Sequence, residues 1–494
     1  MSSWETRFLP AFSHLSPRDT LAHVLCFPVD PNLPSQDKFQ VANYLKTSLG
    51  VLWQNEPLLR SSLRQHTDGR LFLGIPSDSS ARLNLDTIQV KNVPWISVDY
   101  IKSRALDGFS VSPERYSSSA RLALGEWVPV SSPEIWAIED GVLFFFHVMQ
   151  CVIDEVHIRK LIAKFAQASH GQKLDIPIPV QNWTHIMPTN APGAFESLLR
   201  ECQEYRLNEL GGDRPFDDRA PCDMIRPSDF NLKGLDRQSE LFTLSWRGIE
   251  YLSSQLAVQM RMREEHTNIL AQPCYVALFW VAVMGARAQE AFPVAASSSP
   301  QSNPHILMPV TTRSLPHGPE STVQQHSGNI ACQTVWASVS RVPRSAFEYA
   351  LDTTQPFTAF NSLMSIAYHI NEALQGVHNT DFVKKRLDLV QAAPDTRLLG
   401  LNFDPCNKSN FLMHPGHFMA PHAWDLGQGG VDVRPINRLC EIPPAGTAQT
   451  ISTQGENLTV QVTLPRESME RFKSVKFDDL LAAKGVEIKP LVHS

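Results

Sequence analysis

The stretch FFFHVMQCVIDEVHIRKLIAKFA, residues 144–166, constrains the chain more than any other segment. It opens as an apolar run with three consecutive phenylalanines, which suits a strand buried on both faces. It closes as an amphipathic pattern that predicts a helix over 155–169. Between the two lies a turn, Gln150-Cys-Val-Ile-Asp154-Glu155. Side chains alternate along a strand, so Gln150 and Val148 share one face and His147 takes the other. If Gln150 faces a cleft, His147 faces away from it and reads as a hydrogen-bonded core residue. His157, inside the helix, reads as a surface or packing residue. Asp154 stands directly before the helix, where a carboxylate suits the N-terminal dipole. A helix cap, half of a buried ion pair and a catalytic carboxylate all remain open for it.

The chain has 494 residues, 43% hydrophobic and 19% charged, which is room for two domain-sized cores or more. Net charge is -6, and no basic stripe interleaved with aromatics occurs, so nucleic-acid binding has no support. The opening MSSWETRFLPAF lacks the charged and apolar regions of a signal peptide. The longest apolar stretches, 142–153 and 274–286, are too short for a membrane span. Eight cysteines without a C-x-x-C pair suggest reduced, mostly buried thiols and a cytoplasmic location. The stretch His414-Pro-Gly-His417-Phe-Met-Ala-Pro-His422 is dense in imidazoles, but two prolines and a glycine interrupt it and it lacks a helical frame. It reads as a polar, pocket-lining loop, and no metal is expected. No glycine-rich phosphate loop or Gly-x-Ser-x-Gly elbow is present.

Hydrophobic periodicity and turn residues predict strands at 21–29, 70–75, 83–90, 120–129, 135–150, 305–311 and 458–464, with a hairpin turn at Glu139-Asp-Gly141. Helices are predicted at 37–50, where Gly50 stops the first, and at 155–169, 357–373 and 380–393. Two more fall within 250–288, broken near Gln272-Pro273, and a closing helical segment covers 467–473 and 477–483. Residues 211–229 are rich in Gly, Pro and Asp, and 294–304 read as a flexible surface loop. The expected division is an N-terminal lobe over 1–210, a connection over 211–229 and a C-terminal lobe over 230–494.

The order of these features resembles the BAHD-type acyl-CoA-dependent acyltransferases, especially the fungal branch of trichothecene 3-O-acetyltransferases. That family's hallmark is His-His-x-x-x-Asp-Gly at a strand end, followed by a helix. Here the block reads Met149-Gln150-Cys-Val-Ile-Asp154-Glu155. Leu15-Ser-Pro-Arg-Asp19 with Leu25-Cys-Phe-Pro28 is similar to the family's opening strand, and 277–287 to its central helix. Pro309-Val-Thr-Thr-Arg313 and Ser327-Gly-Asn-Ile-Ala331 resemble its Arg-bearing strand and Gly-Asn-Ala turn. Trp424-Asp425-Leu-Gly427-Gln-Gly429 resembles its structural Asp-Phe-Gly-Trp-Gly motif with Phe and Trp both replaced, and 458–471 fit its final strand and helix.

The resemblance implies an α/β fold of two chloramphenicol-acetyltransferase-like lobes, each a mixed sheet with helices, and a cleft or tunnel between them. It implies a structural ion pair of Asp154 with Arg313, and a structural role for Asp425, Gly427 and Gly429. It places the family's catalytic His on Gln150, whose neutral amide cannot accept and release a proton near neutral pH. The scaffold's brace stays and its base is gone. The function this suggests is a base-independent cyclisation of a small apolar metabolite, a terpenoid or polyketide, of the Diels–Alder or pericyclase type, in secondary metabolism. Its barrier would fall through proximity, with Gln150 as hydrogen-bond donor. Val148, His414, His417, His422 and Trp424 are the expected substrate contacts. No cofactor is expected, and the protein is read as a monomer. The alternatives are an atypical acyl-CoA-dependent O-acyltransferase, with acyl-CoA as co-substrate, and a non-catalytic ligand-binding pseudoenzyme.

Overall fold

The computed structural model describes residues 4–9, 11–14, 20–29, 37–67, 69–76, 88, 90–97, 125–174, 194–207, 237–262, 270–287, 303–311, 334–396, 399–404, 407–414, 423–425, 431–432, 434–436, 445–454, 457–477 and 479–491. The expected connection at 211–229 lies outside them, as do 83–87, 120–124 and 294–302 of the predicted strands and loop.

The apolar run is a strand, Gly141–Met149, at the middle of a five-stranded sheet. The sheet order is Arg434–Ile436, Thr20–Pro28, Gly141–Met149, Ser131–Ile138, Val90–Val93. All pairings are antiparallel except the last. Val142, Phe144, Phe146 and Val148 point into the N-terminal core, with residues of the helices Lys38–Asn55 and Glu155–Ser169. Leu143 and Phe145 point the other way, to a smaller cluster with Val24, Cys26, Trp136 and Ile138. Both faces are covered, which is why the run is apolar throughout instead of alternating. A four-stranded sheet, in the order Trp4–Phe8, Leu71–Pro76, Ser62–Gln65, Val128–Pro129, completes this part of the molecule.

The second core surrounds a seven-stranded sheet. Its order is Thr334–Val339, His305–Thr311, Asn410–His414, Thr447–Gln454, Asn457–Pro465, Arg237–Ser245, Ile488–Pro490. The helices Trp246–Gln259, Ala271–Ala286 and Pro356–Val377 contribute to that core. The helix Ala271–Ala286 is buried on nearly every side, which accounts for its unbroken apolar sequence. Among the described residues no helix is long and apolar enough to cross a membrane.

The two cores exchange segments. Helix Ala194–Glu201 and strand Tyr205–Leu207 precede the expected connection yet pack with the C-terminal core, where Tyr205–Leu207 pairs with Leu399–Leu401. The buried ion pair Arg386–Glu204 fastens this junction. In return, Trp424 lies in the N-terminal core and Arg434–Ile436 forms the edge of its sheet. Packing therefore changes hands between Leu174 and Phe195, and again between Met413 and Trp424.

Two predicted helix ends shift for identifiable reasons. Gly50 does not stop its helix, which runs Lys38–Asn55 from an Asp37 cap accepting from the Phe39 N–H at 2.9 Å. An interior glycine costs about 1 kcal/mol relative to alanine, less than burial of Leu45, Leu49, Leu52 and Trp53 returns. The chain leaves the helix at Glu56, ahead of Pro57. The break expected at Gln272-Pro273 comes earlier, after Gln259, with Arg261 at φ 53°. Pro273 sits in the first turn of Ala271–Ala286, where its missing N–H is not needed.

Candidate active site

Gln150 is the one residue from 141 through 154 that is not buried. The reason lies in the turn. The Met149 carbonyl accepts from both the Val152 and Ile153 N–H groups, at 3.0 and 2.9 Å. Cys151, Val152 and Ile153 are sunk into the core, which anchors the loop from inside and leaves position 150 as its outward corner. The Gln150 carboxamide makes no hydrogen bond to any described residue. It presents a donor and an acceptor at the end of a dry strand, and neither titrates near neutral pH.

Asp154 is the N-cap of Glu155–Ser169, and its carboxylate accepts from the His157 N–H at 2.9 Å. That settles the capping role left open by the sequence. Arg313, its expected ion-pair partner, lies outside the described residues. The helix is tied to its surroundings by a Lys164–Glu56 ion pair and by Ser169, whose hydroxyl accepts from the Asp425 N–H at 3.1 Å. Asp425 is thereby held through its backbone N–H against the C-terminal end of that helix. Gly427 and Gly429 lie outside the described residues.

Two expected substrate contacts are core residues instead. Val148 is fully buried in the N-terminal core. Trp424 is wedged edge-on between Phe27 and Phe165, with ring centroids 5.1 and 5.0 Å away. An aromatic beside a glycine-rich motif gave no signal that it was spoken for by packing. His417 and His422 lie outside the described residues, while His414 is half-buried at the end of Asn410–His414. Its ring meets Trp336 edge-on at 6.3 Å.

His147 points away from the Val148 face, as strand parity requires, and stacks on Phe145 with ring planes 6° apart. The expected hydrogen bond is not found among the described residues, where its buried Nε2 has no partner. Burial lowers its pKa, Glu134 opposes that shift and Lys91 adds to it. The imidazole is therefore neutral at neutral pH. Glu134 is engaged by Lys91 at 2.7 Å and by the Trp136 indole N–H at 3.2 Å.

The C-terminal sheet holds a polar row that the sequence reading missed. His414 lies beside Gln449, and Gln449 beside Gln461, on adjacent strands. Gln449 donates to the Gln461 carbonyl oxygen, and Gln461 donates to Ser239 Oγ at 2.8 Å. Ser239 Oγ is 3.0 Å from Thr463 Oγ1. The alternation of 458–464 that marked a strand also carried this signal, in the polar phase of Thr459, Gln461 and Thr463. Elsewhere burial pushes the Cys202 thiol up to about 11 and Cys274 up to about 12, so both are inert packing groups. Among the described residues no group of His, Cys, Asp and Glu could hold a metal ion.

The whole chain is similar in structure to TRI101 of F. graminearum, solved with coenzyme A and T-2 mycotoxin: TM-score 0.63 at 12% identity, covering 98% of this chain and 99% of that one. TRI101 of F. sporotrichioides with coenzyme A and T-2 gives 0.61 at 14% identity, covering 98% and 99%. The first condensation domain of the calcium-dependent antibiotic synthetase, with a substrate analogue, gives 0.51 at 11% identity, covering 99% and 98%. No family model and no curated protein matches the sequence. At such identities the likeness is one of fold alone: an α/β fold of two chloramphenicol-acetyltransferase-like lobes.

Proposed function

We propose that the protein is a biosynthetic enzyme of secondary metabolism that uses an acyltransferase-like scaffold without a general base, and that it cyclises a small apolar metabolite. The observation that carries this is Gln150: the single unburied position between 141 and 154, directly ahead of the Asp154 cap, with an amide that has no partner among the described residues. Where the resemblance calls for a proton acceptor, the chain offers a hydrogen-bond donor. An intramolecular Diels–Alder reaction needs no proton transfer. Holding a flexible substrate in its reactive fold lowers the barrier, and a donor to a dienophile carbonyl lowers it further. Asp154 keeps the turn in place and takes no part in the chemistry.

The acyltransferase alternative draws on the fold. The TRI101 structures hold coenzyme A together with T-2 mycotoxin or deoxynivalenol, so a scaffold of this fold can seat coenzyme A and a small molecule at once. Comparing metabolites of the producing pathway with and without the protein separates the two readings. A product isomeric with its precursor supports cyclisation, and a gain of one acyl group with release of CoA supports transfer. Gln150→Ala is expected to slow cyclisation by less than the roughly 10²–10³-fold that loss of an oxyanion donor costs, because the carbonyl stays neutral. The rate is expected to stay flat from about pH 6 to about pH 8. A limb near the histidine pKa overturns the base-free mechanism.

A further inference from the structure

His147 belongs to a small charged cluster on the face of the N-terminal sheet that turns away from the main core. Strand register puts Ala22 and Ser132 directly across from it, and puts Glu134 across from Phe145, the residue on which its ring stacks. Glu134 is thus the diagonal neighbour of His147, at a spacing of about 7–8 Å that a long side chain spans. Lys91, on the edge strand Val90–Val93, stands across from Trp136. Its ammonium reaches Glu134 at 2.7 Å and lies over the Trp136 ring at 5.7 Å. Glu134 and Lys91 are the charges that act on His147 from the strands beside it. The strand on its other side offers only the uncharged Ala22 and Val24 at this end. Cys26, with Arg434 paired to it, comes four residues along from Ala22, a distance of about 13 Å at the rise of a strand.

We propose that His147 and Glu134 form an acid-operated switch: a proton taken up from solvent by the imidazole draws the Glu134 carboxylate off Lys91 and undoes the side-chain tie between the edge strand Val90–Val93 and its neighbour. While His147 is neutral it makes no claim on Glu134, which goes to Lys91 and the Trp136 indole N–H. A proton on His147 places a cation where the residue is 9% exposed and Nε2 has no partner among the described residues. A charge held there needs a counter-ion, and Glu134 is the carboxylate within reach. The exchange costs Lys91 little, because its side chain is 50% exposed and water takes over the ammonium. Burial holds the His147 pKa below its ordinary value, Glu134 pulls against that and Lys91 adds to it. The tie is therefore made at neutral pH and given up as pH falls below 6.5 through the lowered value. The switch acts at the sheet edge and asks nothing of Gln150, so it and the cyclisation reading stand or fall separately.

The test uses the full-length protein with its histidines labelled at Cε1, the His147 signal being the one lost in His147→Phe. Glu134→Gln is expected to weaken proton uptake at His147 about tenfold, and Lys91→Met to strengthen it. Hydrogen exchange at the amides of Val90–Val93 reads the tie itself, each variant being compared with the parent at the same pH so that the intrinsic rate cancels. Below the His147 transition the parent is expected to exchange about two- to fivefold faster than His147→Phe, the loss of one largely exposed ion pair. Above the transition the two are expected to match. Lys91→Met, which lacks the tie at every pH, is expected to exchange fast throughout. Should His147→Phe fold poorly, His147→Gln gives the same control. Proton uptake unchanged in Glu134→Gln overturns the proposal. So does edge-strand exchange that shows no step in the parent, or a step that persists without His147.

Discussion

Gly141–Met149 and Asn457–Pro465 are both interior strands of their sheets, and both are buried along nearly their whole length. They reach that state by different chemistry. The first is apolar on its two faces, apart from His147. The second is apolar on one face and carries Thr459, Gln461 and Thr463 on the other. Gln461 and Thr463 answer to other buried side chains, while the buried Nε2 of His147 has no partner among the described residues. A polar face can be buried at little cost when its members satisfy one another, whereas a single polar intruder in a dry sheet carries its desolvation penalty alone. The C-terminal strand thus spreads its polarity along one face as a network, whereas the N-terminal strand holds one buried imidazole and gives way to an unburied amide only at the corner after it, Gln150.

The comparison breaks most visibly at Phe144, which packs against Phe165 at 4.8 Å in the apolar strand. Phe144→Ala is expected to cost about 3–5 kcal/mol, measured by urea unfolding followed by intrinsic fluorescence. A loss below about 2 kcal/mol would mean that this core collapses to fill the void. The matching cut in the polar strand is Gln461→Leu, which keeps the bulk but takes from Gln449 its partner and from Ser239 one of its two. It is expected to cost about 1–3 kcal/mol in the same assay, and no loss would show that the relay contributes nothing to stability.

Asp154→Ala probes the corner between strand and helix. Loss of the cap on His157 N–H accounts for about 0.5–2 kcal/mol. A larger loss, about 3–5 kcal/mol, would identify the buried charge pair that Arg313 was expected to complete. The smallest effect is expected at His147, and its sign is reversed. His147→Phe removes an unsatisfied buried nitrogen, so the variant is expected to be as stable as the parent or about 1 kcal/mol more stable at pH 7. The pH dependence sharpens this. Burial holds the folded-state pKa of His147 below its ordinary 6.5, and that of His305 at about 4, so the unfolded chain takes up these protons first. Both contributions are complete above pH 6.5 and are lost as pH falls through the lowered values. The gap between parent and His147→Phe is expected to widen as pH drops below 6.5; a constant gap would show that His147 is protonated equally in both states.

Much of this was legible in the sequence. The strand–turn–helix at 141–169 was, because burial on two faces followed by a helical stripe leaves one reading. The strand at 305–311 and the helix from Thr380 were legible for the same kind of reason. Three things were not. Gly50 looked like a stop because local propensity was weighed without the core contacts that override it. Trp424 looked available because nothing local announces that a distant Phe27 and Phe165 enclose it. Gln449 and Gln461 drew no notice because a polar residue in an alternating strand reads as solvent-facing until the other strands of its sheet are in place. Gln150 is unburied at the turn, and that its amide has no hydrogen-bond partner among the described residues is a property of the folded chain alone.

The exchange of segments between the lobes bears on synthesis. The N-terminal core is unfinished until Trp424 arrives between Phe27 and Phe165, and its sheet lacks an edge until Arg434–Ile436 pairs with Thr20–Pro28. During translation, the first lobe therefore waits with an open seam while about 250 further residues, from 175 to 424, emerge. An N-terminal fragment that ends before Trp424 is therefore expected to leave Phe27 and Phe165 without their aromatic neighbour and the sheet without its edge strand.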